Sequence, residues 1–154
     1  MKVDAWRIFK RQHAASAFSG EGARLYGGRW NSVGVGVVYA ASSCALAALE
    51  MLVQLKNQLK VEEYLRVVMS FDNKLVIAID PATLPQNWSA DPAPLTLQAI
   101  GDKWVADGAS AVLQVPSAVI DVDYNYLFNP AHPDFAKIAI GESRPFSFDP
   151  RLVK

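Results

Sequence analysis

The sequence predicts a single α+β domain. Three observations carry that prediction. Hydrophobic residues make up 51% of the 154 and charged residues only 19%, the composition of a chain with a packed core. Short runs with strand-like alternation or continuous apolar character recur from one end of the sequence to the other. Two longer segments instead place their apolar residues at helical spacing. No internal repeat, linker or low-complexity tract divides residues 1–154, so the length fits one domain with its own core.

In order, residues 5–9 (AWRIF) alternate and form a first strand, with Arg7 on the opposite face from Trp6 and Ile8. Residues 11–28 read as a long glycine-punctuated loop, a feature that is usually functional inside a compact domain. Residues 29–31 form a short strand, Gly34-Val35-Gly36 a turn or bulge, and residues 37–41 (VVYAA) a buried strand. Ser42 or Ser43 caps the helix that follows, residues 44–59, in which Leu46, Leu49 and Val53 recur at helical spacing. Residues 65–71 and 75–79 are apolar runs separated by Asp72-Asn73-Lys74, which reads as a hairpin or a pair of neighbouring strands. Prolines at 81, 85, 92 and 94 mark a surface connection without helix. Residues 95–107 form an amphipathic helix stopped by Gly108. A strand at 111–115 is broken by Pro116 and resumes at 119–122; residues 135–140 are a short helical or extended piece, and residues 144–148 a final strand.

Charge narrows the function classes. Lys+Arg and Asp+Glu each number 15, which argues against a general nucleic-acid or membrane-surface binder. Cys44 is alone, so neither an intrachain disulfide nor a cysteine-rich zinc site can form, and His13 and His132 have no recognisable metal-ligand spacing. No basic-then-apolar leader opens the sequence, and no apolar run approaches the length of a membrane span; a cytoplasmic protein is expected.

The chemically loaded stretch runs from Gly20 to Glu50. Six of the nine glycines fall between positions 20 and 36, among Arg24, Arg29, Trp30 and Asn31. The glycines match neither GxGxxG nor GxxxxGK[ST], and on spacing alone they are ordinary turn chemistry. Arg29 is either a structural ion-pair residue, with Glu50 as one possible partner, or a bidentate phosphate ligand. Tyr39 in an apolar strand is a core residue with a bonded hydroxyl, or a ring-packing surface. Glu50 borders the apolar face of its helix, one residue from Leu49 and four from Leu46. A carboxylate there is a partner for a cation or a working group. Ser117 sits in the break after Pro116, His132 reads as a turn residue between two prolines, and GxSxG is absent.

These residues carry a resemblance. GGRWNSVGVGVVYAASSCALAALE (from Gly27 to Glu50) is similar to the signature of the RES domain, named for an arginine, a glutamate and a serine. VPSAV and NYLFNPAHPDF resemble its second signature, and FSFDPRL its tail. The resemblance extends from about Trp6 to Leu152 and is least diagnostic over residues 59–113. It implies a split, twisted β core with flanking helices, similar to ADP-ribosyltransferase toxins. It implies a bacterial toxin that degrades NAD+ by hydrolysis or phosphorolysis, or transfers its ADP-ribose to a protein. NAD+ would be the substrate, with no cofactor and no metal. The implied partner is an Xre-type helix-turn-helix antitoxin, with the toxin a homodimer in a larger complex. Carried over by motif, the catalytic residues are Arg29, Tyr39, Glu50 and Ser117. Arg7, Arg29, Tyr39 and Asn129 would bind NAD+. A non-catalytic binding module that keeps the same scaffold is the reading from another class.

Overall fold

A computed structural model of the chain describes residues 1–55 and 63–152. Eight strands among them form one curled sheet: β1 (Lys2–Lys10), β2 (Val38–Ala41), β3 (Tyr64–Asp72), β4 (Val76–Ala78), β5 (Val112–Pro116), β6 (Tyr124–Phe128), β7 (Ala139–Ile140) and β8 (Arg144–Phe146). The helices are α1 (Glu21–Tyr26), α2 (Cys44–Gln54) and α3 (Leu95–Asp107). The strand order is β4-β5-β6-β2-β1-β3-β7, with β8 also pairing β3. Only β4 and β5 run parallel; the other pairs are antiparallel.

The sheet is split at its centre. β1 pairs β3 at nine successive positions from Lys2↔Asp72 to Lys10↔Tyr64, but it meets β2 only at Trp6↔Ala41. Beyond that rung the ladder stops, and a side chain takes over. Arg7 Nη1 donates to the Tyr39 carbonyl at 2.9 Å and its Nε to the Ala17 carbonyl at 2.8 Å. Burial pushes the Arg7 guanidinium down to about 10 from its ordinary value, and the two carbonyls compensate part of that desolvation.

Alternation along the strands assigns the two faces. Val38 and Ala40 join Ala5, Met69, Phe71, Val112 and Phe128 in one core. Tyr39 and Ala41 point the other way. There Ala41 packs with Leu46, Ala47, Ala48 and Leu52 of α2, while Tyr39 packs on a cluster containing Trp30, Leu113, Leu127, and Leu97 and Trp104 of α3. Two helices therefore pack on the same face, and β2 carries a residue to each.

Several expectations need correction. Residues 65–71 and 75–79 are not a hairpin: β3 pairs β1 while β4 lies at the far edge against β5. Both are apolar enough for strands, but the turn at Asn73–Leu75 serves only to exit the sheet. Residues 29–31 are not a strand; Gly28 and Asn31 form an isolated bridge with Arg29 and Trp30 at the tip of a turn. Residues 119–122 turn rather than continue β5, as Ser117 draws the N–H groups of Val119 and Ile120 onto its hydroxyl. The expected loop at 11–28 contains a 3-10 helix at Arg11–Ser16 and α1, and another 3-10 turn at Pro81–Thr83 interrupts the proline-rich connection. The strand at Tyr124–Phe128 was not anticipated. Ser43 is the cap of α2, accepting from the Leu46 N–H at 3.0 Å, and Gly108 ends α3 at φ 55°. The expected extension of α2 over 56–59 lies outside the described residues. No helix among those residues is long and apolar enough to cross a membrane.

Candidate active site

Glu50 is where the covered face becomes chemical. It sits half-buried on α2, and its Oε2 accepts from two donors carried by the sheet. Ser117 Oγ donates at 3.0 Å from the end of β5, and Asn125 Nδ2 donates from β6. The direction of the Ser117 bond is fixed by its surroundings. Its oxygen already accepts the N–H groups of Val119 and Ile120, each at 3.1 Å, so its one proton goes to the carboxylate. Ser117 is fully buried. Asn125 stands opposite Ala41 on one side and Val115 on the other, so the register delivers its amide to the same face as Ala41. With both donors on Oε2, Glu50 Oε1 has no hydrogen bond among the described residues.

The second group surrounds Tyr39. Its hydroxyl accepts from the Trp30 N–H at 3.1 Å and donates to Asn31 Oδ1 at 2.6 Å. Asn31 is fully buried, and its Nδ2 donates to the carbonyls of Ala23, Ser32 and Val35. Burial pushes the Tyr39 phenol up; the Trp30 N–H lowers it, Asp102 raises it and Arg29 lowers it, in that order of influence. A protonated, doubly bonded phenol is a structural tie here and not an acid or base. Gly28 leaves room for this tie: a Cβ there would stand 2.8 Å from both the Tyr39 hydroxyl and Asn31 Oδ1, and one of them would have to shift.

The tie holds the turn whose tip is Arg29. Nη1 of Arg29 donates to the carbonyls of Trp88, at 3.1 Å, and Ala90, at 2.9 Å. It is not paired with Glu50. Its Nε and Nη2 make no hydrogen bond among the described residues, which leaves one edge of the guanidinium as a planar two-donor fork.

The structure thus brings Glu50, Ser117 and Asn125 into direct contact, and joins Arg29 to Tyr39 through the turn. Tyr39 and Ala41 lie on one face two residues apart, roughly 7 Å along β2, so β2 connects the two groups on that face. Arg7 reaches the Tyr39 main chain and helps hold it. Asn129 is not part of this cluster. It follows the other end of β6, roughly 13 Å along the strand from Asn125, where it lines an open depression of about 450 Å³ with Gly36 and Ala131. His132 caps the 3-10 turn at Pro133–Lys137, as a turn residue would. No group of three or more His, Cys, Asp or Glu that could hold a metal occurs among the described residues.

Asn125 and Asn31 escaped the sequence reading as working parts. A polar residue in the otherwise aromatic and apolar run YNYLF was the available signal for the first.

The RES domain family model matches residues 4–149. Toxin Res of Yersinia enterocolitica is 38% identical over 149 residues, covering 96% of this chain and 97% of that protein. The Prs ADP-ribosylating toxin of a Sphingobium species is 40% identical over 159 residues, covering 100% and 99%. A chain of the M. tuberculosis MbcT-MbcA toxin-antitoxin complex superposes with a TM-score of 0.79 at 17% identity, over 96% of this chain and 85% of that one, which establishes a shared fold.

Proposed function

The chain belongs to the RES-domain family, and from that premise we propose that it is the toxin of a bacterial toxin–antitoxin pair that cleaves NAD+ at the nicotinamide–ribose bond. The observation that carries this reading is Glu50. Its carboxylate is held at Oε2 by Ser117 and Asn125, and its Oε1 is left uncommitted among the described residues.

In the cleavage, the bond between ribose C1′ and the nicotinamide nitrogen breaks and its electron pair leaves with nicotinamide, which departs neutral. Positive charge develops on the ribosyl centre, as in glycoside hydrolysis. A fixed carboxylate stabilises that charge without reorganising. Oε1 would face the ribose, while Ser117 and Asn125 stop the carboxylate from turning away. The free edge of Arg29 matches two diphosphate oxygens. Arg7 acts indirectly, through the main chain of Tyr39. The Tyr39 hydroxyl is spent on the turn, so its ring is the part left to pack on a base or nicotinamide. Addition of water to C1′, with loss of its proton, yields ADP-ribose; inorganic phosphate in the same place yields its 1-phosphate.

A second acceptor is a protein side chain. The 40% identity to a relative named as an ADP-ribosylating toxin favours keeping that reading. The matching fold of a toxin crystallised with its antitoxin supports an antitoxin partner. We take it to be of the Xre type, inserting a carboxylate against Arg29 and excluding NAD+, with the toxin a homodimer in that complex. Incubating the purified protein with NAD+ and measuring free nicotinamide tests the proposal. Runs with and without phosphate, and with lysate protein as acceptor, separate the three outcomes. Absence of nicotinamide under all of them would leave a binding module.

A further inference from the structure

The turn that presents Arg29 is held on its second side by α3, through three residues one helical turn apart. Gln98 Nε2 donates to the carbonyls of Gly28 at 3.0 Å and Asn31 at 3.2 Å, the two ends of the turn. Asp102 accepts from Ser32 twice, from the N–H at 2.9 Å and from the hydroxyl at 2.5 Å. Between them, Gly101 has no room for a side chain: a Cβ there would stand 1.7 Å from the Trp30 carbonyl oxygen. Helix positions i, i+3 and i+4 share one face, so α3 offers a donor, a bare backbone and a double acceptor to one short segment.

Most of the peptides around Arg29 are thereby committed. The Trp30 N–H goes to Tyr39, the Ser32 N–H to Asp102, and the Gly28 N–H to the Asn31 carbonyl. Such a turn cannot rotate its tip without breaking bonds to both the sheet and α3. A bidentate contact depends on the direction of the guanidinium plane as well as on its charge, and small misplacements of a positioned group are costly.

We infer that Asp102 and Gln98 are positioning residues for the anion contact of Arg29. They would act on the affinity for a pyrophosphate-bearing nucleotide without touching it. The inference rests on the reading that Arg29 takes the diphosphate of NAD+. ADP-ribose is the probe, because it keeps the diphosphate and has no nicotinamide bond to cleave.

Calorimetric titration of ADP-ribose is measured for the unaltered protein, Arg29→Lys, Asp102→Ala, Asp102→Asn, Gln98→Leu, and the Arg29→Lys/Asp102→Ala and Arg29→Lys/Gln98→Leu pairs. The fraction of folded protein is taken from circular dichroism. Asp102→Ala and Gln98→Leu should each weaken binding about tenfold, within the range for coupled neighbours. Asp102→Asn should restore it to within about threefold, since the amide oxygen can accept the Ser32 N–H while the hydroxyl rotates to accept from the amide. In the Arg29→Lys background neither substitution should weaken binding further. A merely structural role would lower the folded fraction and leave the affinity of the folded protein unchanged, and that result overturns the inference. So does an equal loss with and without Arg29. Should Asp102→Ala not fold, Gln98→Leu decides by the same criteria. Undiminished binding by Arg29→Lys would instead overturn the diphosphate reading itself, and the inference with it.

Discussion

Ser117→Ala removes one oxygen and three hydrogen bonds, and its cost divides into two measurable parts. The oxygen accepts the N–H groups of Val119 and Ile120 and donates to Glu50 from a fully buried position. An unsatisfied buried N–H costs roughly 1–3 kcal/mol. Val119 and Ile120 are themselves half-buried, so water can replace part of the loss and the low end applies to each. The sum is about 2 kcal/mol, which for a chain of this size lowers Tm by roughly 4–8 °C. The third bond, to a charged acceptor, is worth roughly 1.5–3 kcal/mol. If all of it serves to hold the carboxylate in the transition state, the rate falls by roughly 10- to 150-fold. Thermal unfolding reads the first part and nicotinamide release from NAD+ the second. The decisive control repeats the substitution in a Glu50→Gln background, where the rate effect should nearly vanish while the Tm loss remains. An unchanged Tm, or a rate loss of the same size in both backgrounds, would refute the reasoning.

Asn125→Leu removes the other donor to Glu50 at similar volume and should slow NAD+ cleavage by roughly 10-fold or more; turnover at the parent rate would remove Asn125 from the site. Arg29→Lys keeps the charge but not the planar fork, so NAD+ binding should weaken as well as turnover, and calorimetry with NAD+ checks it. Tyr39→Phe tests the tie that holds the turn. Burial keeps the folded phenol protonated above its ordinary range, whereas the unfolded phenol ionises near pH 10. That contribution to stability is complete below about pH 10 and is lost as pH rises further. The Tm gap between the unaltered protein and Tyr39→Phe should therefore stay constant up to about pH 10 and narrow above it. Arg7 acts in the opposite sense over the same range in both proteins and cancels in the difference. A gap independent of pH would refute the buried, bonded phenol.

Much of this arrangement was legible in the sequence, for physical reasons that differ by residue. Glu50 stood out because a carboxylate bordering a stripe of alanines and leucines needs a reason to be there. The strand at β2, the cap at Ser43 and the stop at Gly108 follow from local rules, and the structure contains all three. What local rules could not supply was pairing across the sheet. β3 and β4 are neighbours in sequence with a turn between them, yet the curled sheet separates them by five intervening strand pairings. Asn125 acquires its role only because β6 lies between β2 and β5, a juxtaposition fixed by residues far from it. The α3 side of the Arg29 turn left one trace, Gly101 in the middle of a helix, where glycine is costly unless another backbone comes close.

The central claim is that Glu50 acts by its charge on the ribosyl centre of NAD+, and comparing nicotinamide release by the unaltered protein and by Glu50→Gln tests it most directly. Glutamine can still accept from Ser117 and Asn125 through its amide oxygen, so the fold and both neighbours stay in place. The account predicts repeated turnover by the unaltered protein and a rate roughly 100- to 1,000-fold lower for the variant. Equal rates in the two proteins would contradict it.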